Sequence, residues 1–313
     1  MKDLKAIHSA IVSVFDSCDD ALVITPSLVA DAVAKRPSDA HKGTCGSLLV
    51  CAGSRGLTGA ATLSTQAALR CGSGLVTLAC ADELNDIFEI KLTEAMTLPV
   101  PSQNGSVSYN AKDAIFAKMH QSSAFLIGPG LSQTGDISRL VSDAIEECAC
   151  PLVIDADALN VISPDPSVLK RAKCHVIITP HIGEFARLCK EDKSHIINDS
   201  SAYAANFACE YGCIVVLKSH RTVVASPDGK VYANILGNPG MASGGTGDVL
   251  AGAIASFASQ GSAPLLSALA GVYFHSLAAD IAAAYLGEYS LIAGDIINCL
   301  PYAIKETQDN QLR

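Results

Sequence analysis

Five β-rich runs in this chain are each followed at once by a glycine or a polar residue. Runs 47–52, 124–127, 151–154, 176–178 and 214–217 stop at Gly53, Gly128, Asp155, Thr179 and Lys218. Helical patterns separate them, at about 60–71, at 137–148 and from Ile182 onward. Strand, helix, strand, repeated, is the pattern of an α/β protein with a mostly parallel sheet. In open sheets of that kind, ligands bind outside the carboxyl ends of the strands. The five punctuating residues therefore predict one composite site along one sheet edge. A late hairpin is also expected, with strands at 222–225 and 230–233 around Pro227-Asp228-Gly229.

Composition agrees. Of 313 residues, 49% are hydrophobic but only 5% aromatic, so the core is built of Ala, Val, Leu and Ile, as in sheets covered on both faces. Charged residues are 17%, which excludes disorder as the main state. A net charge of −9 leaves no basic stripe for a nucleic-acid backbone, so no such partner is expected. The apolar stretches 249–258 and 263–279 are short or broken by Ser, Tyr and His, so no membrane span is expected. Residues 1–25 read as helix, within an N-terminal arm (1–40) ahead of one domain (41–313). The N-terminus lacks an apolar leader and cleavage site, which makes a cytoplasmic protein the expectation. Twelve cysteines are scattered without CxxC spacing, and read as buried free thiols.

The densest chemistry lies in 237–252, GNPGMASGGTGDVLAG, with six glycines in sixteen residues. Gly244, Gly245 and Gly247 let successive backbone N–H groups face one concavity. A helix predicted to start at Asp248 adds its N-terminal partial charge, giving an anion hole. Asp248 then stands as a general base for a hydroxyl, or, more plainly, as a helix N-cap. No Gly-Lys-Ser/Thr closes the loop, so it is not a Walker loop. Gly53–Gly59 has GxxGxxG spacing. It reads as a close-approach loop against a ligand, a plain turn, or, with Asp82, a dinucleotide site. Asp155 and Asp157 are placed to orient magnesium, hold a lysine or cap a turn. In TPHIGE, His181 faces a substrate or is structural, and Glu184 reaches a metal through water. Lys218 opens KSHRT as a phosphate-binding turn. His8, His120, His195 and His275 share no spacing and read as structural.

Seven segments occur in the order of one family: HKGTCGSLLVCAGS, TGAATLSTQAALRCGSGLVTL, GPGLS, VIDADALN, ITPHIGEFARL, VVLKSHRT and GNPGMASGGTGDVLAG. Together they resemble the NAD(P)H-hydrate dehydratase family, a branch of the ribokinase-like superfamily, over about 41–301. The resemblance implies a three-layer α/β/α fold with a mostly parallel central sheet. It implies a lyase that returns the S epimer of hydrated NADH or NADPH to the reduced cofactor at the expense of ADP or ATP. The ring hydroxyl would be phosphorylated and phosphate eliminated. Ala60, Gly130, His181 and Asp248 would touch the hydrated cofactor, with Asp248 catalytic. Lys218, Ser219, His220, Arg221, Thr222 and Gly247 would hold the nucleotide. Gly244, Gly245, Thr246 and Gly247 would form the anion hole, and Glu184 would meet Mg2+ through water. The TPHxGE form points to ADP rather than ATP. A homo-oligomer, such as a tetramer, and a separate epimerase acting upstream are also implied. The rivals are a hydroxyethylthiazole- or pyridoxal-type kinase of the same superfamily, an oxidoreductase using Gly53–Gly59 and Asp82, and a non-catalytic binder.

Overall fold

A computed structural model describes residues 21–311. Its strands are β1 Leu22–Val23, β2 Ser47–Cys51, β3 Leu75–Ala81, β4 Met96–Val100, β5 Ser102–Gln103, β6 Ser106–Val107, β7 Ala124–Ile127, β8 Leu152–Ile154, β9 Val176–Ile178, β10 Ile214–Leu217, β11 Val223–Ala225 and β12 Val231–Ala233. The α-helices are α1 Pro26–Val29, α2 Thr58–Arg70, α3 Asn85–Lys91, α4 Lys112–Met119, α5 Gly135–Glu147, α6 Asp157–Ile162, α7 Ile182–Cys189, α8 Lys193–Asn198, α9 Ser200–Tyr211, α10 Thr246–Ser259, α11 Pro264–Leu286 and α12 Ala293–Gln311.

Ten strands form one sheet in the order β1-β12-β11-β10-β9-β8-β7-β2-β3-β4. Only β11 runs against the others, because its hairpin reverses it between β10 and β12. The strands are apolar on both faces. Leu48 and Val50 of β2 join one core, and Leu49 and Cys51 the other. The first core is closed by α2, α10, α11 and α12, the second by α4, α5, α6, α7 and α9. This is the expected three-layer α/β/α sandwich. The chain begins winding at β2, moves out to β4, then returns to β7 on the other side of β2. The reversal between β2 and β7 opens a crevice at the carboxyl ends of the strands.

The structure departs from the sequence pattern in three places. Residues 1–20 of the expected helical arm lie outside the described residues, and 22–23 form a strand rather than a helix. Val23, Ile24 and Thr25 are β-branched, and β1 completes the edge left by β12: Leu22 pairs with Tyr232, and Ile24 N–H donates to Ala233 O at 3.0 Å. The stretch 83–120, broken by Pro and Asn, contains a regular strand, β4. Pro99 sits in it because β4 pairs with β3 alone and has a free edge. Finally, α11 is long and apolar enough to cross a membrane by length and composition, despite its Ser, Tyr and His. Yet 83% of its most apolar window is buried, packed against α10 and α12. The described cysteines are unpaired, but only five are buried, and Cys209 is exposed.

Candidate active site

Asp155 leaves the end of β8 into the sheet edge and is 1% exposed. A carboxylate there is tolerable only with partners. Lys218, at the end of β10, places Nζ 2.8 Å from Asp155 Oδ1, and Thr179 Oγ1, at the end of β9, donates to the same oxygen at 2.7 Å. Three neighbouring strand ends thus meet at one atom. Of the readings open for Asp155, holding a lysine is the geometry found. Asp157 does something else. It accepts from Ser132 N–H at 2.8 Å and Gln133 Nε2 at 2.9 Å, tying down the loop after β7. Gly128 must be glycine, since a Cβ would lie 1.9 Å from the Asp155 carbonyl oxygen.

The helix expected at Asp248 starts earlier, at Thr246. Gly245, at φ +93°, is its N-cap, so Asp248 is not a cap but stands inside the first turn of α10. Burial pushes its carboxyl up to about 7, and the charges of Asp155 and Glu184 add to this against Lys218. Lys218 stays charged: burial opposes the charge, but Asp155, Glu184 and Asp248 outweigh it and raise its pKa. Lys218 also abuts the helix end, since a Cβ on Gly247 would lie 3.1 Å from Nζ. Thr246 Oγ1 donates back to Met241 O at 3.0 Å and Ser243 O at 3.1 Å, so it braces the glycine loop. Gly244 faces open space.

His181 caps α7 through Nδ1, which accepts from Gly183 N–H at 2.8 Å and Glu184 N–H at 3.3 Å. Its pKa is lowered by burial and then by Lys218, which keeps the ring neutral with Nε2 carrying the proton. Glu184 returns the cap: Oε2 accepts from His181 N–H at 2.8 Å. Its carboxyl is raised, chiefly by burial. Among the described residues, no set of three or more His, Cys, Asp or Glu is assembled for a metal.

A cavity of about 680 Å³ adjoins this centre. Lys218, Ser219, His220, Thr222, Thr246, Gly247 and His181 line it, over an apolar wall of Leu250 and Val272. Arg221 lies outside the lining, on an exposed turn whose N–H donates to Ser219 Oγ. Ala60 and Gly130 meet across the crevice: a Cβ on Gly130 would lie 3.0 Å from Ala60 Cβ. Gly53 N–H donates to Pro129 O at 2.8 Å, which holds GSRGLTG against the turn after β7. Asp82 is exposed and accepts from Glu83 N–H and Ser102 Oγ, both on Oδ1.

The cavity is also lined by Asn234, which no sequence pattern above singled out, and by His275, expected to be structural only. Asn234 follows β12 directly, so the same strand-end pattern applied to a sixth strand would have found it. His275 lies mid-helix in α11, with no local signal. Burial holds its pKa down at about 4, and Nε2 has no partner.

The model of the NAD(P)H-hydrate dehydratase family matches residues 48–301. A bifunctional NAD(P)H-hydrate repair enzyme of Moorella thermoacetica is 41% identical over 276 residues, covering 88% of this chain and 52% of that enzyme. The chain thus spans about half the length of that relative. An ADP-dependent (S)-NAD(P)H-hydrate dehydratase of Neisseria meningitidis is 36% identical over 268 residues, covering 83% and 86%. The crystal structure of an ADP/ATP-dependent NAD(P)H-hydrate dehydratase from Bacillus subtilis, co-crystallised with ATP/Mg2+, superposes with a TM-score of 0.79 at 29% identity, covering 93% of this chain and all of that one.

Proposed function

Since this chain belongs to the NAD(P)H-hydrate dehydratase family, we propose that it dehydrates the S epimer of NADH or NADPH hydrate, with ADP or ATP as phosphoryl donor. One observation carries the reading: a half-buried carboxyl, Asp248, raised to about 7, in the first turn of a glycine-capped helix beside Lys218. A base near neutral pH and a set of N–H donors are what hydroxyl phosphorylation needs.

In this reading the cavity along 218–222 holds the nucleotide, and its terminal phosphate lies against the Gly244–Gly247 backbone. Lys218 is pinned by Asp155 and presents charge without searching for it. The hydrated ring lies toward Ala60, Gly130 and His181. Asp248 takes the ring hydroxyl proton as the oxygen attacks phosphorus, and the nucleotide leaves one phosphoryl shorter. Phosphate then departs with the former hydroxyl oxygen, and loss of a proton from the adjacent ring carbon restores the double bond. Magnesium fits the donor set. It is commonly held by one or two carboxylates plus substrate phosphates, and Glu184, a carboxyl raised chiefly by burial and also by the charge of Asp155, would meet it through water. It would neutralise charge developing on the phosphates. The TPHxGE segment favours ADP as donor.

A homo-oligomer belongs to the same proposal, supported by exposed Tyr285, Leu286, Tyr289 and Ile292 around the α11–α12 turn. So do a cytoplasmic location and a separate epimerase for the R form. The test is incubation with hydrated NADH and either nucleotide, with and without magnesium, following NADH absorbance. Nucleotide- and magnesium-dependent recovery is expected. Nucleotide consumption on a thiazole alcohol without NADH recovery would replace the proposal with a kinase.

A further inference from the structure

Asn234 lines the large cavity beside Lys218 with half of its amide uncommitted. It follows β12 directly, and its backbone N–H donates to Thr222 O at 2.9 Å. The residue is 3% exposed. Its Nδ2 uses both hydrogens, one on Leu236 O at 2.8 Å and one on Ser276 Oγ at 2.9 Å. These two bonds fix the amide: turned over, it would set Oδ1 against the Leu236 carbonyl oxygen. Oδ1 is therefore a fixed acceptor, and it has no partner in the protein. A buried acceptor left unpaired is costly, and such atoms are few in folded proteins.

The position of Asn234 along the cavity gives that acceptor a meaning. Lys218 ends β10 and Asn234 follows β12, with β11 between them. Since β11 is antiparallel to both, β10 and β12 point the same way, and both residues stand at the carboxyl edge. At about 4.8 Å per strand, their backbones are roughly 10 Å apart. Lys218, Thr246 and Gly247 mark the end assigned to the phosphates. Leu236, Met241, Leu250 and Val272 give the rest of the cavity an apolar lining. A nucleotide held by its phosphates at Lys218 extends its base away from them. The faces of a base are served by an apolar wall, and its polar edge by one fixed group.

We infer that Asn234 reads the nucleotide base, Oδ1 accepting from the exocyclic amine of a 6-aminopurine. The inference rests on the reading of this cavity as the nucleotide site, and it names the residue that selects the base. A 6-oxopurine would turn a carbonyl oxygen toward Oδ1, two acceptors with no proton between them. A purine bare at position 6 would leave Oδ1 unpaired. Selection thus comes from repulsion of the wrong base as well as attraction of the right one. A buried polar group rejects an analogue more sharply than apolar fit does.

The experiment titrates the whole chain, with magnesium, by calorimetry against ADP, purine riboside 5′-diphosphate and inosine 5′-diphosphate. The three share ribose and phosphates and differ around purine position 6. ADP should bind tightest, the bare purine about tenfold more weakly and the inosine form about a hundredfold more weakly. In Asn234→Leu the preference for ADP over the inosine form should shrink to within about threefold. Asn234 also braces Leu236 and Ser276. If that were its whole role, the variant would bind all three more weakly and keep their ratio, which would overturn the inference. Equal affinities in the parent would overturn it too, and that series decides even if the variant folds poorly. Binding of none of the three would remove the nucleotide reading itself, whereas ADP bound no tighter than the inosine form removes only the role of Asn234.

Discussion

Replacing Asp248 by Asn should destroy activity and raise stability, because the same burial produces both effects. The carboxyl is moved from an ordinary 3.8 to about 7 by burial and by Asp155 and Glu184. The folded chain therefore binds this proton more tightly than the unfolded chain. Below about pH 4 both states hold it, and the group is neutral in its effect on stability. Between about pH 4 and 7 the folded state keeps a proton that the unfolded state has released, so stability falls across that window and levels off above it. At about 1.4 kcal/mol per pH unit, the full penalty above pH 7 is about 4 kcal/mol. Asparagine removes that charge at similar volume. At pH 8.5 the variant should melt roughly 5–10 °C above the parent, with the gap closing toward pH 4. Turnover should fall about 10²–10⁴-fold, the usual cost of a missing general base. Differential scanning calorimetry across pH and the NADH-recovery assay read the two effects separately. A variant melting at or below the parent at pH 8.5 refutes the burial argument. Turnover within about tenfold of the parent refutes the base.

Lys218→Met should cost about 3–5 kcal/mol in denaturant unfolding, because Asp155 keeps Thr179 but loses its cation. An unchanged midpoint would mean that water already reaches Asp155. Gly245→Val should cost about 1–3 kcal/mol, because φ is +93° and a Cβ would lie 2.4 Å from Leu63 Cδ1. Nucleotide affinity by calorimetry should fall with it, and intact affinity would remove the phosphate from this loop. Asp155→Asn withdraws a charge that raises Asp248, so the acid limb of the pH–rate profile should move to lower pH. A limb that stays in place, or moves up, would show that the titrating base is another group.

Much of the site was legible because strand ends announce themselves. An apolar run followed by Gly, Asp, Thr or Lys is a local pattern, and it placed Gly53, Gly128, Asp155, Thr179 and Lys218 along one edge of the sheet. What was hidden was not local. That Asp155 pairs with Lys218, sixty-three residues away, depends on β8, β9 and β10 being neighbours. His275 reaches the cavity only because α11 crosses behind β10 and α10. The start of α10 was misplaced because Thr246 and Gly247 are weak helix formers. The structure secures that turn by Thr246 Oγ1 on two loop carbonyls. The β1 strand has only two residues, and its pairing partner lies more than two hundred residues downstream.

The pairing of Lys218 with Asp155 also explains why Asp248 stays basic. An unpaired buried lysine beside a carboxylate would hold it well below its ordinary pKa, giving an ionised but feeble base. Here Lys218 is already committed 2.8 Å away, on an oxygen shared with Thr179. Its attraction for Asp248 is offset by repulsion from Asp155 itself, and Glu184 adds to that repulsion. The remaining influence is burial, which leaves the carboxyl near 7. The lysine still projects positive charge at the N-terminus of α10, where Gly247 approaches it. One buried ion pair thus allows a cation and a working base to share a site a few ångströms across. Neither Lys218 nor Asp248 would have its present character if Asp155 faced elsewhere.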